Sequence, residues 1–349
     1  MSEEKKKIAF IINPVSGTQN KELILKSIDG RLDKKKYACE VVYTERVGHA
    51  IEIAAQKAAE KYFAVVAIGG DGTINEVARS LIHTDTALGI IPCGSGNGLA
   101  RHLQIPMDVA KAIDIINEGC IEAIDFGVIN NNTPFFCTCG VGFDALVSMR
   151  FAEAGKRGLL TYLEQTVKES WKYKPETYEL IMDGVPSQHK AFVIACGNAS
   201  QYGNNAYIAP QATLNDGLLD VTILEPFNML EAPSISFQLF NKTINQNSRV
   251  KTYRCKSLHI HRSSAGAAHY DGEPVMLDAD IDVRIVQQGL KMIIPSEDKK
   301  DKHAFKKVQE YFNEWKQIND AIVEDFTYTN KRILVKGKKQ IQKLKGNLS

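Results

Sequence analysis

Gly69-Gly70-Asp71-Gly72-Thr73-Ile74-Asn75-Glu76 follows a short apolar run at 63–68 and leads into helix-like sequence. A second stretch, Pro92-Cys93-Gly94-Ser95-Gly96-Asn97-Gly98, repeats the arrangement after the apolar run 87–91. Strand, tight glycine turn and helix N-terminus is how a chain offers bare N–H groups to a phosphate. Two such turns in neighbouring units predict one site that grips a polyphosphate from two sides. A nucleotide, and transfer of its terminal phosphoryl group, is the chemistry they point to. Gly69, Gly70 and Gly72 let the main chain approach a ligand without Cβ obstruction, and Thr73 is placed to cap the helix behind. Asp71 is the odd member. A carboxylate beside phosphates repels them unless Mg²⁺ lies between, or unless it serves to activate a hydroxyl. Gly94, Ser95 and Asn97 add donors, with Arg101 one turn further on. No GxxxxGK[ST] occurs, so phosphate charge must be met by backbone N–H groups, Mg²⁺ and Arg101.

Working outward, residues 8–125 alternate strand and helix. Strands are predicted at 8–13, 37–43, 63–68 and 87–91, and helices at 21–28, 46–61, 74–81 and 107–117, the last stopped by Gly119. This is the pattern of an α/β domain, a mostly parallel sheet with helices on both faces. From 121 to 294 short β-runs dominate, with turns at Asp183-Gly184, Asp216-Gly217 and Asp271-Gly272 and one helical insert at 159–173. That half reads as an antiparallel β-sandwich. The division is 1–122, 123–296 and 297–349, with a hinge near 118–122. The last part reads as a polar helix (301–326) followed by a tail, 331–349, with seven Lys or Arg and no acid.

Composition agrees with a soluble globular protein: 349 residues, 44% hydrophobic, 24% charged. The net charge of +2 gives no overall field for nucleic acid. Seven cysteines without a CxxC pair suggest reduced thiols and a cytoplasmic setting. No run approaches the roughly 18–20 apolar residues of a membrane span, so any membrane contact is expected from the surface, peripheral to its inner face. The basic tail is one means of making it.

Four other segments carry chemistry or imitate it. Asn13-Pro14-Val15-Ser16-Gly17 closes the first strand as a turn or as a small loop near the nucleotide. Gly140-Val141-Gly142-Phe143-Asp144-Ala145 fits a GxGxxA dinucleotide fingerprint but lacks the βαβ context that motif requires. Asp271-Gly272-Glu273 is a hairpin tip, or a source of a carboxylate that takes a proton from an incoming hydroxyl. Asn215-Asp216-Gly217-Leu218 is a turn that also offers the oxygen ligands Mg²⁺ prefers. His259 and His261 share a strand face with no third ligand in view, and Cys137 and Cys139 share another.

Taken in order, NPVSG (13–17), GGDGTINEV (69–77), PCGSGNGLAR (92–101), GVGFDA (140–145), NDGLLDV (215–221) and DGE (271–273) resemble the diacylglycerol kinase catalytic-domain family. That family also takes in sphingosine and ceramide kinases, and the resemblance runs from Lys7 to Ile294. It implies an N-terminal domain related to phosphofructokinase and NAD kinase, a C-terminal β-sandwich, and ATP in the cleft between them. By motif, Gly69, Gly70, Asp71, Gly72, Thr73, Ile74 and Asn75 would hold ATP phosphates, and Asn13, Thr44, Gly94 and Ser95 would complete the nucleotide site. Asp216 would bind Mg²⁺ with the carbonyls of Thr213 and Leu218. Glu273 would accept the proton of a lipid hydroxyl, a role for which Asp71 competes. The implied reaction is phosphorylation of the primary hydroxyl of a membrane lipid, first of all diacylglycerol, giving phosphatidic acid. GSGNGLAR is nearer in wording to sphingosine kinases. Those enzymes carry an acid just after the GF element where this chain aligns Leu146, so Asp144 is the candidate substrate residue. A sphingoid-base or ceramide kinase is therefore the alternative. An NAD kinase and a non-catalytic lipid- or nucleotide-binding regulator are further readings, and a homodimer is compatible with all of them.

Overall fold

A computed structural model describes residues 4–17, 19–130, 133–153, 173–228 and 230–296. The predicted helices at 159–173 and 301–326 and the basic tail fall outside them, save Tyr173.

The first half is built from β1 (Lys6–Ile12), α1 (Lys21–Arg31), β2 (Tyr37–Tyr43), α2 (His49–Ala59), β3 (Ala64–Gly69), α3 (Asp71–Leu81), β4 (Ala87–Pro92), α4 (Gly98–His102) and α5 (Val109–Glu118). Its strands lie in the order β2-β1-β3-β4, all parallel. β3 and β4 are buried along their whole length, which explains their unbroken apolar runs. α1 packs with α5 and α2 with α3, as right-handed crossovers on the two sides of β1 require. The strand order reverses between β1 and β3. Ligands of such sheets lie outside the carboxyl ends of the strands at that switch point. Asn13 follows β1 there, Gly70 follows β3, and Thr44 follows β2.

The second half comprises β5 (Ile121–Ile129), β6 (Thr133–Phe135), β7 (Thr138–Gly142), α6 (Phe143–Glu153), β8 (Glu176–Met182), β9 (Val185–Ala191), β10 (Val193–Gly197), β11 (Leu219–Leu224), α7 (Ala232–Phe240), β12 (Val250–Cys255), β13 (Ser257–His261), β14 (Gly266–Tyr270), β15 (Glu273–Leu277) and β16 (Asp280–Ile293). One six-stranded antiparallel sheet runs β12-β11-β10-β7-β14-β15. The facing layer is not a separate sheet. β16 pairs with β4 at Met292 and Leu88, with β5 along most of its length and with β13, so the parallel sheet continues into β16-β13-β8-β9. Tyr178, Leu180, Leu258, Ile260, Ile281 and Val283 from this layer close a second core on Val141, Ile194, Cys196, Val221 and Ile223 of the other. That is the β-sandwich.

Several expectations are refined. Around the predicted hinge, β5 already pairs with β16 from Ile121 onward, and Ile294 N–H bonds to Cys120 O at 3.0 Å. The halves are thus crossed by two paired strands rather than one free chain. The Asp183-Gly184 and Asp271-Gly272 turns are two-residue hairpins with φ of +47° and +85°, and of +47° and +83°, the left-handed pair of a type I′ turn. GVGFDA does form strand, turn and helix, but β7 lies between antiparallel neighbours, so the dinucleotide-binding reading has no parallel pair to rest on. Cys137 sits ahead of β7, not in strand with Cys139.

Candidate active site

Three loops meet at the switch point. A Cβ at Gly17 would overlap the carbonyl oxygen of Cys93, and one at Gly94 would fall only 2.6 Å from Cα of Gly70. The glycine turns after β3 and β4 therefore touch backbone to backbone, an approach only glycine permits. Asn13 Nδ2 donates to Thr73 Oγ1 at 3.2 Å and tethers the first loop to α3. Thr73 is consequently not the helix cap. α3 starts at Asp71 behind an extended Gly70, no side chain caps it, and Thr73 lies buried in its first turn. Among the described residues no side chain caps the start of α3, whose leading N–H groups carry partial positive charge at the helix N-terminus.

The second turn behaves differently. Asp71 Oδ2 and Oδ1 accept the N–H groups of Asn97 (2.8 Å) and Gly98 (2.7 Å), the groups that open α4. The Asn97 side chain clamps its own turn, accepting from Gly94 N–H at 3.1 Å and donating to Gly94 O at 2.7 Å. Arg101 Nε braces Gly96 O at 2.9 Å, so it supports the loop. Ser95 stays exposed. Burial pushes the Asp71 carboxyl up to about 6; the two N–H bonds oppose this and the negative Asp271 adds to it.

From the sandwich, the β14–β15 tip reaches the same place. Asp271 Oδ2 accepts Asn75 Nδ2 at 2.7 Å and Phe136 N–H at 2.9 Å, while Oδ1 accepts Cys137 N–H at 2.7 Å. Burial raises its pKa against those bonds. Asn75 is thus engaged within the protein. Glu273 follows, with Oε1 3.3 Å from where a Cβ at Gly72 would stand. It is exposed, and among the described residues no side chain or N–H bonds its carboxylate. A free carboxylate therefore faces an uncapped helix N-terminus across glycine.

The remaining predicted site residues are engaged by protein partners of their own. Asp144 is buried and saturated: Ala145 N–H (2.8 Å), Tyr202 O–H (2.7 Å) and His269 Nε2 (3.0 Å) all meet it. Thr213, Asp216 and Leu218 do share one turn, whose Gly217 N–H is held by Asp125 at 2.7 Å. Yet the Asp216 carboxylate accepts Thr213 Oγ1 (2.6 Å), Leu218 N–H (3.0 Å) and the Arg254 guanidinium. A cation there would have to displace Arg254, so this donor set as arranged does not fit Mg²⁺. Among the described residues no group of three or more His, Cys, Asp or Glu is placed to hold a metal. No described helix is long and apolar enough to cross a membrane. Sequence reasoning gave no role to Asp125 or Arg79, and offered the Asn97 amide as a donor to the ligand, whereas that side chain is engaged with Gly94. The left-handed Asn97 (φ +50°) could have been flagged by its glycine neighbours, whereas Asp125 sits inside an ordinary strand and gives no local signal.

An α/β domain with glycine turns at its switch point, faced by a sandwich hairpin bearing a free carboxylate, is the framework of a nucleotide-dependent phosphotransferase. Comparison with known proteins narrows this. Residues 7–129 match the model of the diacylglycerol kinase catalytic domain, and residues 137–294 that of the YegS C-terminal NAD kinase beta sandwich-like domain. A diacylglycerol kinase of Mycobacterium tuberculosis is 30% identical over 265 residues, 73% of this chain and 84% of that protein. A diacylglycerol kinase of Bacillus subtilis is 28% identical over 276 residues, 77% and 90% of the two chains. The fold is shared with a crystal structure of a diacylglycerol kinase from Bacillus anthracis, with a TM-score of 0.66 at 19% identity, covering 83% and 97%. This chain belongs to the diacylglycerol kinase catalytic-domain family and is a kinase.

Proposed function

We propose that this protein transfers the γ-phosphoryl group of ATP, taken up as its magnesium complex, to the primary hydroxyl of a membrane lipid, with diacylglycerol the leading acceptor. The observation that carries the reading is the unbonded Glu273 carboxylate over Gly72, at the open N-terminus of α3. The uncapped N–H groups and the exposed Ser95 hydroxyl hold phosphate oxygens. The lipid hydroxyl attacks the γ-phosphorus while Glu273 takes its proton, and the bond to the β-phosphate oxygen breaks, releasing ADP. Asp71 is less suited to be the base, because both of its oxygens already accept the N–H groups that open α4. Its role is to join the two glycine turns. The relatives named diacylglycerol kinase favour that lipid over a sphingoid base or ceramide.

The test is purified protein with labelled ATP and a panel of diacylglycerol, sphingosine, ceramide and NAD. Label entering diacylglycerol is expected. Label entering only another acceptor moves the substrate, and label entering none overturns the kinase mechanism. The acceptor lies in a bilayer, and the basic 331–349 segment supplies attraction to an anionic surface, each cation adding about 1 kcal/mol. Vesicle binding that survives truncation at Phe326 removes that segment from the reading.

A further inference from the structure

Asp71, Asn75 and Arg79 recur every fourth residue and share one face of α3. Arg79 is the member that the phosphoryl-transfer mechanism leaves unused. Its Nε and Nη2 both donate to Asn75 Oδ1, at 3.1 and 2.7 Å. A carboxamide presents two ends of nearly equal shape, one accepting and one donating. A guanidinium has only donors, so it can satisfy only the oxygen end. The NH₂ end is thereby turned toward Asp271, to which it donates at 2.7 Å across 196 residues of chain. Asp271 in turn gathers the N–H groups of Phe136, Cys137 and Thr138 (3.2 Å for the last), and it forms the hairpin tip with Gly272 directly before Glu273. The link from helix to hairpin is thus a chain of bonds in which each partner fixes the orientation of the next.

We infer that Arg79 is a positioning residue: acting through Asn75 and Asp271, it holds Glu273 over the N-terminus of α3. The inference rests on Glu273 being the proton acceptor. Without Arg79 the Asn75 oxygen loses both of its donors, and the Asp271 carboxylate is left alone to hold the amide. The Asn75 side chain is then free to leave its place between helix and hairpin, and the tip shifts. Displacements of about 1 Å at reacting groups cost on the order of 100-fold in rate.

The variant Arg79→Met keeps the length of the side chain and removes every donor. Its kcat for lipid phosphorylation is expected to fall about ten- to 100-fold, while KM for ATP changes by less than about twofold. Arg79→Lys keeps charge and one donor and should recover part of the loss, which also serves if the methionine variant folds poorly. Placed on an Asn75→Ala background, Arg79→Met should cost nothing further, because the link is already cut. A readout free of turnover is hydrogen exchange at Phe136 and Cys137, whose N–H groups end on Asp271; it should quicken about tenfold in Arg79→Met. Unchanged exchange, or the full kcat penalty persisting on Asn75→Ala, overturns the role of Arg79. A wild-type protein that phosphorylates no lipid overturns the kinase reading instead, and the exchange measurement still decides the link.

Discussion

Asp71 and Glu273 are both carboxylates beside the same helix N-terminus, and their surroundings give them opposite tasks. Glu273 is solvent-facing and unbonded among the described residues, so replacing it removes a proton acceptor and little else. Glu273→Gln should lower kcat by about 10²–10⁴-fold while leaving nucleotide binding intact, as checked by calorimetric titration with Mg-ATP. Asp71 is instead tied to two N–H groups in a site that disfavours its charge. Its folded pKa of about 6 lies above the unfolded value of 3.8. Between those values the native state binds the extra proton, so this group's contribution to stability declines as pH rises through the window and is lost above it. Activity should run the other way. Two N–H groups need two accepting oxygens, so kcat/KM should fall as pH drops through about 6, and a profile flat from pH 5 to 7 would contradict this.

At the level of elements, the glycine turns were legible because bare backbone leaves a plain mark in sequence. So did the hairpins, since Asp-Gly is the commonest way to populate two left-handed residues in a row. The buried strands β1, β3 and β4 showed as apolar runs, and Gly119 ends α5 with φ of +65° as read. The capping residue was misjudged for a physical reason. Thr73 looks like a cap, but an extended Gly70 lets the helix begin at Asp71, three residues before the predicted start, and Asn13 claims the threonine hydroxyl. Helix α7 escaped because its sequence, APSISFQLF, is apolar without a helical period and buries only Ile235. The contact between the two turns makes its own forecast. In Gly94→Ala the new methyl meets Cα of Gly70, so the turns must part. Turnover should be lost, with about 1–3 kcal/mol of stability, measured by urea unfolding beside the lipid kinase assay.

For the molecule as a whole, β16 is the element on which both halves depend. Its fourteen residues complete the parallel sheet beside β4 and supply Ile281 and Val283 to the sandwich core. Neither core closes without it. Residues 1–295 also form one compact unit. Unfolding by denaturant should therefore show one transition, with near-ultraviolet dichroism and proteolysis of the sandwich reporting the same midpoint; two separated midpoints would mean that the halves are independent.

Sequence alone determined the local devices: alternating strand and helix, three glycine-bearing turns and an Asp-Gly tip before Glu273. These follow from φ preference, hydrophobic period and missing Cβ atoms, all properties of neighbouring residues. Tertiary structure decided which carboxylate is spent and which is free. The donors that occupy Asp71 lie 26 and 27 positions away, and the Asn75 amide that anchors the tip lies 196 positions from Asp271. A hydrogen bond depends on distance in space: the pairing of β3 with β4 brings Asn97 and Gly98 to Asp71, and the crossing of β5 and β16 between the halves accompanies the approach of Asp271 to Asn75.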